Sequence, residues 1–451
     1  MKNLSKVTVL LFLATTLLAV GCVNKSPTSP AGPDQELRKT VSGGKVAYVQ
    51  QGQLFVRDIA TNQSVQISAY RDVKYPSWSP NGKWLLFQRG RQLWVSGSDG
   101  ALSRLVSGEA QSSTWIIGQD AICYSPGEGG LIQVSPKGGS VRNLLKPEPG
   151  VEISRIMPSP DGRYLALEIW GQTRGDSPLT QGIWKLELKS GHTTPVSQAK
   201  PSPGQILGSR PRLAGWSADG QTIFFWNASE SASVTADGVP FSAVRLGQAQ
   251  QEQQGLPPSK ELDIRPEPKG LVHGGWLRPG PKGQVSALIT GTGRETWNNK
   301  QLTLMNLETL QTSLVSQPGM SVNSFSFDFE GKVLAFSAGR EEKRFNDGGA
   351  GDFGSKAQQV MADRHLYLSS LDGKNLSQLT RDSVYRDEYP VWNARNDHLL
   401  FARVDAKQNA SLWTIGKDGS QLTQVVPHVS PFDWFGYYGY VDWQQYFDYL
   451  P

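Results

Sequence analysis

Tyr75-Pro-Ser-Trp-Ser-Pro-Asn-Gly-Lys-Trp-Leu-Leu-Phe87, continued by Gln92-Leu-Trp-Val95, Gly97-Ser-Asp-Gly100 and Ser103-Arg-Leu-Val-Ser107, carries the fold in miniature. Each apolar run has strand length, and the Asn81-Gly82 and Asp99-Gly100 pairs supply the positive φ that tight hairpins require. One unit therefore predicts a four-stranded meander. Trp216 to Phe225 and Trp392 to Phe401 match Trp78 to Phe87 without a gap, and Trp115 to Tyr124 fits less evenly. Pro158 and Phe327 stand at the Trp position of two more units, Pro158-Ser-Pro-Asp-Gly162 and Phe327-Asp-Phe-Glu-Gly331, while Trp276 needs three extra residues before its turn.

With Trp443 the anchors are 78, 115, 158, 216, 276, 327, 392 and 443. Lys45-Val-Ala-Tyr-Val49, Gln53-Leu-Phe-Val56 and Ser64-Val-Gln-Ile67 form three strands that lack a first strand, whereas Val441-Asp-Trp443 reads as a first strand with nothing after it. Each completes the other, so the C-terminal strand is expected to join the N-terminal blade and leave no sheet edge open. Self-similarity at such a period marks closed or solenoidal arrays. The fold class is all-β: a β-propeller of four-stranded blades, eight in number, or seven if the unit around Trp115 is an irregular insertion. The 48 Gly and 28 Pro in 451 residues suit many short strands joined by turns.

Lys2 and Lys6 precede a 14-residue apolar run, Val7 to Val20, which is too short to span a bilayer and has the layout of a secretory signal. Residues 1–21 are read as a lipoprotein signal peptide, residues 22–41 as the lipidated Cys22 and a Ser/Pro/Gly-rich tether, and residues 42–451 as one propeller domain. Leu17-Leu-Ala-Val-Gly-Cys22 resembles the lipobox of bacterial lipoproteins, with Ala19 where Leu is more usual. That resemblance implies acylation of Cys22, export, and a lipid anchor: in the outer membrane of a two-membrane cell, otherwise on the outer face of the cell membrane. Cys123 is the only other cysteine, so no disulfide framework exists, and in Ala121-Ile-Cys-Tyr124 it reads as a buried thiol. Removing residues 1–21 leaves 43 Lys+Arg against 40 Asp+Glu, and no basic stripe interleaves with aromatics, so nucleic acid is not an expected partner.

The Trp78-Ser-Pro-Asn-Gly82, Pro158-Ser-Pro-Asp-Gly162 and Trp216-Ser-Ala-Asp-Gly220 turns, with the Leu93-Trp94, Leu366-Tyr367 and Leu412-Trp413 pairs, resemble the WD40-like propeller repeats of TolB-type proteins. The resemblance covers roughly residues 45 to 443. It implies a propeller serving as a binding platform in the cell envelope, and it is specific for fold rather than for function.

Loop length is one-sided. The connection between the second and third strands is short after Phe87 but grows in Gly171 to Gly182, Asn227 to Pro240, Gly291 to Lys300 and Ser337 to Arg364. Long loops on a rigid scaffold are common binding sites. Arg294, Trp297, Arg340, Arg344 and Phe345 are the candidate partner-binding residues, against a reading of the same loops as solvated padding. Asp347-Gly-Gly-Ala-Gly-Asp352 lacks the further oxygens of a calcium loop, the five histidines are scattered, and neither a zinc-type ligand spacing nor a Gly-x-Ser-x-Gly elbow occurs. The aromatic stretch Phe432 to Tyr449 reads as packing for the closure strand rather than as a stacking platform. The sequence thus predicts no catalytic residue, metal or cofactor, and a non-catalytic, membrane-tethered protein-binding or scaffold propeller. A glycan-binding or glycan-processing propeller and a peptidase-associated propeller are the alternatives.

Overall fold

The repeated turn explains why the units form sheets. In the computed structural model, the Ser79 hydroxyl accepts the Trp84 amide at 3.0 Å and sits 2.8 Å from Asn81 Oδ1, while the Ser79 amide donates to the Trp84 carbonyl at 2.9 Å. Ser159 with Asp161 and Ser217 with Asp219 repeat the arrangement, their hydroxyls accepting the Tyr164 and Thr222 amides at 2.9 Å. Each Ser-x-Asn/Asp-Gly turn thereby satisfies the first amide of the following strand, and Gly82, Gly162 and Gly220 hold φ of 68°, 66° and 68°.

The structure describes residues 43–451 other than 172–180, 200–208, 230, 232–234, 236–237, 248–258 and 343–353. These residues form eight antiparallel sheets arranged as an eight-bladed propeller. Blade 1 contains Lys45–Gln50, Gln53–Asp58 and Ser64–Ser68 together with the closing strand Phe447–Leu450. Blades 2 to 8 occupy residues 73–107, 112–145, 152–198, 209–270, 277–314, 320–378 and 386–429. Blade 5 adds a two-residue strand, Lys269–Gly270, on its third strand. A nine-residue helix, α1 (Gly354–Ala362), lies between the second and third strands of blade 7. No helix among the described residues is long and apolar enough to cross a membrane.

Closure occurs, but four residues downstream of the expected strand. Trp443 begins a 3₁₀ turn, Trp443–Gln445, and the paired strand is Phe447–Leu450, with Tyr48 opposite Phe447 and Val46 opposite Tyr449. At or next to the end of each first strand one residue lies opposite the first or second residue of the next strand: Trp78 opposite Leu85, Trp115 opposite Ile122, Pro158 opposite Leu165, Trp216 opposite Ile223, Phe327 opposite Leu334 and Trp392 opposite Leu399. Tyr449 holds this register in blade 1 and Pro279, opposite Ser286, holds it in blade 6. Trp276 and Trp443 therefore lie outside the register assigned to them from sequence. Pro279-Gly-Pro-Lys-Gly283 is in fact a copy of Pro158-Ser-Pro-Asp-Gly162, which removes the three apparent extra residues.

The register residues bind one blade to the next. The Trp115 indole donates to the Ser77 carbonyl at 3.1 Å, Trp216 to Met157 at 3.0 Å and Trp78 to Asp448 at 3.2 Å. Each acceptor immediately precedes the register residue of the preceding blade, so these three indoles bury a large aromatic face and also satisfy their one polar atom, whereas the Trp392 indole has no hydrogen-bond partner among the described residues. Cys123 is fully buried in blade 3, where burial pushes its thiol up, consistent with a packing role.

Candidate functional site

In a four-stranded meander, the loops joining strands two and three share a face with the blade-to-blade connections, opposite the Ser-x-Asn/Asp-Gly turns. Residues 430–446 run across that loop face. The Ser430 carbonyl accepts the Gly52 amide of blade 1 at 2.9 Å, Arg386 of blade 8 donates to the Trp434 carbonyl at 2.8 Å, and Thr296 of blade 6 donates its amide to the Tyr438 carbonyl at 3.0 Å. Tyr440 then donates to the Gly274 carbonyl at 2.7 Å, before Tyr446 accepts the Val49 amide at 2.9 Å and returns the chain to blade 1. Most of the aromatic tail is thus packing: Phe432 stacks on Trp443 at 4.9 Å, and Trp443, Tyr446 and Phe447 are buried.

A buried ionic knot fastens this crossing. Glu388 accepts from Arg364 and, at 2.9 Å, from the Trp443 indole, and Arg386 Nε lies 3.2 Å away. Arg364 also donates to Thr296 Oγ1 at 2.6 Å and to the Gly439 carbonyl at 3.0 Å, joining blades 6, 7 and 8 to the tail. Burial alone would raise the Glu388 carboxyl, but Arg386 and Arg364 override it and hold the group below the usual carboxylate range. Next to it Arg403 forks onto Asp387 at 2.6 and 3.0 Å.

Beside the tail lies a cavity of about 350 Å³ formed by blades 4, 5 and 6. Its construction begins with strand alternation. Glu168 and Trp170 lie two apart on the second strand of blade 4, and Arg210 and Arg212 lie two apart on the first strand of blade 5, so each pair shares a face. Glu168, 2% exposed, accepts from Ser154 Oγ at 2.9 Å, the Trp170 indole at 2.7 Å, Arg212 Nε at 2.8 Å and the Leu213 amide at 2.7 Å. It fixes both the indole and one guanidinium. The guanidinium carbons of Arg212 and Arg210 lie 4.6 and 5.2 Å from the Trp170 ring centroid, within cation–π range.

The opposite wall comes from the blade 6 loop and the tail. Arg294 lies over the Tyr438 ring at 5.7 Å, and Tyr437 stands 49% exposed at the rim. His273 stacks on Tyr440 at 4.1 Å with Trp276 edge-on at 4.6 Å. Burial, with the nearby Lys300 ammonium, pushes His273 down to about 3, so it is a neutral imidazole whose Nε2 has no hydrogen-bond partner among the described residues. Lys300 itself donates to the Thr292 and Asn298 carbonyls at 2.8 Å, and burial lowers it to about 8.

Of the residues singled out from sequence, Arg294 lines this cavity. Trp297, read as an aromatic surface for a partner, is instead 2% exposed and packs with Ala357 and Met361 of α1. Arg340 is exposed at the end of Val333–Arg340, where its amide donates to Asp363 Oδ2 at 3.1 Å, and it does not line the cavity. Cys22, Arg344, Phe345 and the 347–352 stretch lie outside the described residues. Sequence reasoning missed Trp170, Arg210, Arg212, His273 and Tyr437. The available signal was Arg210-Pro-Arg212, two cations at period two on a strand leading to a register Trp. His398 is a strand residue that bridges Asp397 and Gln421 on the turn face at 2.9 and 2.8 Å.

The family model described as the dipeptidyl peptidase IV (DPP IV) N-terminal region matches residues 34–121. No curated protein matches the sequence. Similar solved structures include a putative TolB from Agrobacterium tumefaciens, at 13% identity, covering 85% of this chain and 88% of that one with a TM-score of 0.34. An oligogalacturonate lyase from Vibrio parahaemolyticus is 15% identical, with 83% and 98% covered and a TM-score of 0.44. A prolyl endopeptidase is 11% identical, with 87% and 52% covered and a TM-score of 0.45. The family match corrects one expectation: a peptidase N-terminal model matches part of the chain, so the exclusion of enzymatic function drawn from missing motifs does not hold. A motif search tests for particular catalytic geometries, whereas residues that converge from several blades leave no local signature.

Proposed function

We propose that this chain is an exported, lipid-anchored propeller of the bacterial cell envelope that recognises a protein partner on its loop face. The observation that carries the reading is the cavity between blades 4, 5 and 6. It unites side chains from three blades and the C-terminal crossing, and Glu168 preorganises two of them. On the opposite face the described connections are short turns. The one-sided loop lengths and the likeness of the turns to TolB-type repeats support the same reading, and the Leu17 to Cys22 stretch supports the anchor.

Cross-linking in intact envelopes tests the recognition face. A photo-reactive residue at Tyr437 is expected to capture a discrete partner that a probe at Asn81, on the turn face, does not; equal capture at both positions rejects the assignment. Anchoring is tested separately. Cys22→Ser is expected to abolish incorporation of labelled palmitate and to release the chain from the membrane fraction, and unchanged fractionation rejects the lipid anchor.

A further inference from the structure

We infer that a cavity of about 290 Å³ in the inner wall of the ring, where blades 2 and 3 meet the closing strand, takes an aromatic side chain, tyrosine before phenylalanine, from an extended segment of the protein partner. The site is separate from the cavity between blades 4, 5 and 6, and it rests on the proposed function only in taking the partner to be a protein.

The first strands of neighbouring blades lie side by side around the inside of the ring. Two of them carry the same dipeptide just ahead of the register Trp: Tyr75-Pro76 in blade 2 and Tyr389-Pro390 in blade 8. In both strands the pairing skips these two residues, and the tyrosine holds a positive φ, 54° at Tyr75 and 57° at Tyr389, so each tyrosine is a bulge residue turned out of the ladder. What its ring meets depends on the following blade, at the position two before that blade's register residue. After blade 8 that position is Phe447, two before Tyr449, and its ring meets Tyr389 edge-on at 5.6 Å and 87°. After blade 2 it is Ser113, two before Trp115, and Tyr75 and Ser113 line the cavity instead. Tyr75 is 39% exposed, and no aromatic ring pairs with it among the described residues.

The chain thus holds one Tyr-Pro bulge with its aromatic partner and a second bulge without one. The Tyr75 hydroxyl hydrogen-bonds to Asp442, which fixes the ring in advance, and edge-on aromatic pairs gain energy beyond the area they bury. The side chains of Ser77, Gln88, Ser113 and Gln444 also line the cavity and hydrogen-bond to no described residue, so a phenol hydroxyl finds donors and acceptors there that a plain phenyl ring cannot use. The Asp448 carboxylate at the cavity already accepts the Trp78 and Tyr449 amides at 2.8 and 2.9 Å, and its charge disfavours an acidic occupant. A volume of about 290 Å³ is at the small end of ligand sites, which suits one side chain of an extended segment rather than an oligosaccharide.

The test is a saturation-transfer NMR titration of the full-length protein with acetyl-Gly-Tyr-Gly-amide, its Phe and Leu counterparts, and cellobiose in parallel. The tyrosine peptide is expected to bind most tightly, the phenylalanine peptide about threefold to tenfold more weakly, the range of one neutral hydrogen bond, and the leucine peptide weakest. Ser113→Phe supplies to blade 2 the ring that Phe447 supplies to blade 8, and it is expected to weaken the tyrosine peptide about tenfold or more. Tyr75→Leu, which asks for no new packing, is expected to weaken both aromatic peptides to the same extent, and thermal melts confirm that each variant folds. Failure of the aromatic peptides to bind, a leucine peptide that binds as tightly as the tyrosine one, or binding unchanged by either folded variant overturns the inference. Cellobiose binding in place of the peptides, removed by Ser113→Phe, assigns the cavity to a sugar and also overturns it. If Tyr437 still cross-links a partner while no peptide binds, the recognition face stands and only the aromatic pocket falls.

Discussion

The two faces of the ring are made by different rules. On the turn face one short device recurs in blades 2, 4, 5 and 7: a Ser or Asp side chain caps the next strand and a Gly supplies the positive φ, with Asn393 and Asn396 taking the two roles in blade 8. It is local, so each of these blades solves its own problem within about six residues. On the loop face the described connections range from two-residue turns to a helix. Blade 1 turns at Gln51-Gly52, blade 7 inserts α1, and a single tail crosses from blade 1 to blade 6 and back, held by Glu388 and its arginines. The difference separates closure and recognition, which depend on long-range contacts, from the blade itself, which does not.

The largest expected effect breaks the long-range side of this comparison. A chain ending at Tyr446 loses Phe447, Tyr449 and Leu450, which are 1%, 6% and 3% exposed. Burial of each such side chain contributes roughly 1.5–3 kcal/mol, and a typical domain is stable by only about 5–15 kcal/mol. The truncation also leaves Lys45–Gln50 as an unpaired edge. The expected outcome is a chain with no cooperative melting transition that aggregates on expression; a sharp melt near that of the full chain would show that the ring does not need its closing strand.

Next in size is the knot. Glu388→Ala leaves Arg364 and Arg386 buried without their shared carboxylate, a change that typically costs about 3–5 kcal/mol. Urea unfolding measures it. Because Arg364 also holds Thr296 and the Gly439 carbonyl, protease cleavage within 430–446 is expected to accelerate before global unfolding. A loss below about 1 kcal/mol, the size of one ordinary hydrogen bond, would place the tail's anchorage elsewhere.

A smaller effect probes the turn face. Ser217→Ala removes the cap on the Thr222 amide, which is expected to cost about 1 kcal/mol. The same substitution at Ser79 or Ser159 should give a similar value, and the double variant Ser79→Ala/Ser217→Ala should show additivity because the turns lie in separate blades. Strong non-additivity would mean that the turn face is coupled around the ring.

This division also explains how much could be read from the chain. Blade number, meander topology and the joining of the two termini follow from local turns, so the Asn81-Gly82 and Asp219-Gly220 signals suffice. The identity of the closing strand does not. Trp443 was assigned to the register because it resembles Trp78 in size and setting, yet it belongs to the crossing tail and donates to Glu388, 55 residues away. Tyr449 holds the register without any turn after it to announce it. The cavity was legible only in fragments: Arg294 stood out in a long loop, whereas Trp170 and Arg212 acquire meaning only when Glu168 brings two blades together. Trp297 looked like a surface residue because its loop is polar, and α1 covers it.

The smallest predicted effect sharpens the local side of the comparison by pH. His398 begins the second strand of blade 8, and burial by itself would lower its pKa. Hydrogen bonds to Asp397 and Gln421, with the charge of Asp397, outweigh that and raise it above the ordinary imidazole value. A raised folded-state pKa means that the protonated ring favours the folded chain. The contribution is therefore complete below about pH 6.5, the unfolded value, and disappears as pH rises through the folded pKa. The side chain is 34% exposed, so solvent screening keeps the effect small. Comparing melting temperatures of the wild type and His398→Gln from pH 5 to pH 8.5, the wild-type advantage should be greatest at the acid end and shrink on the alkaline side. An advantage that grows with pH would mean that the ring is held neutral in the fold, and that the turn face of blade 8 is organised by packing rather than by the Asp397 pair.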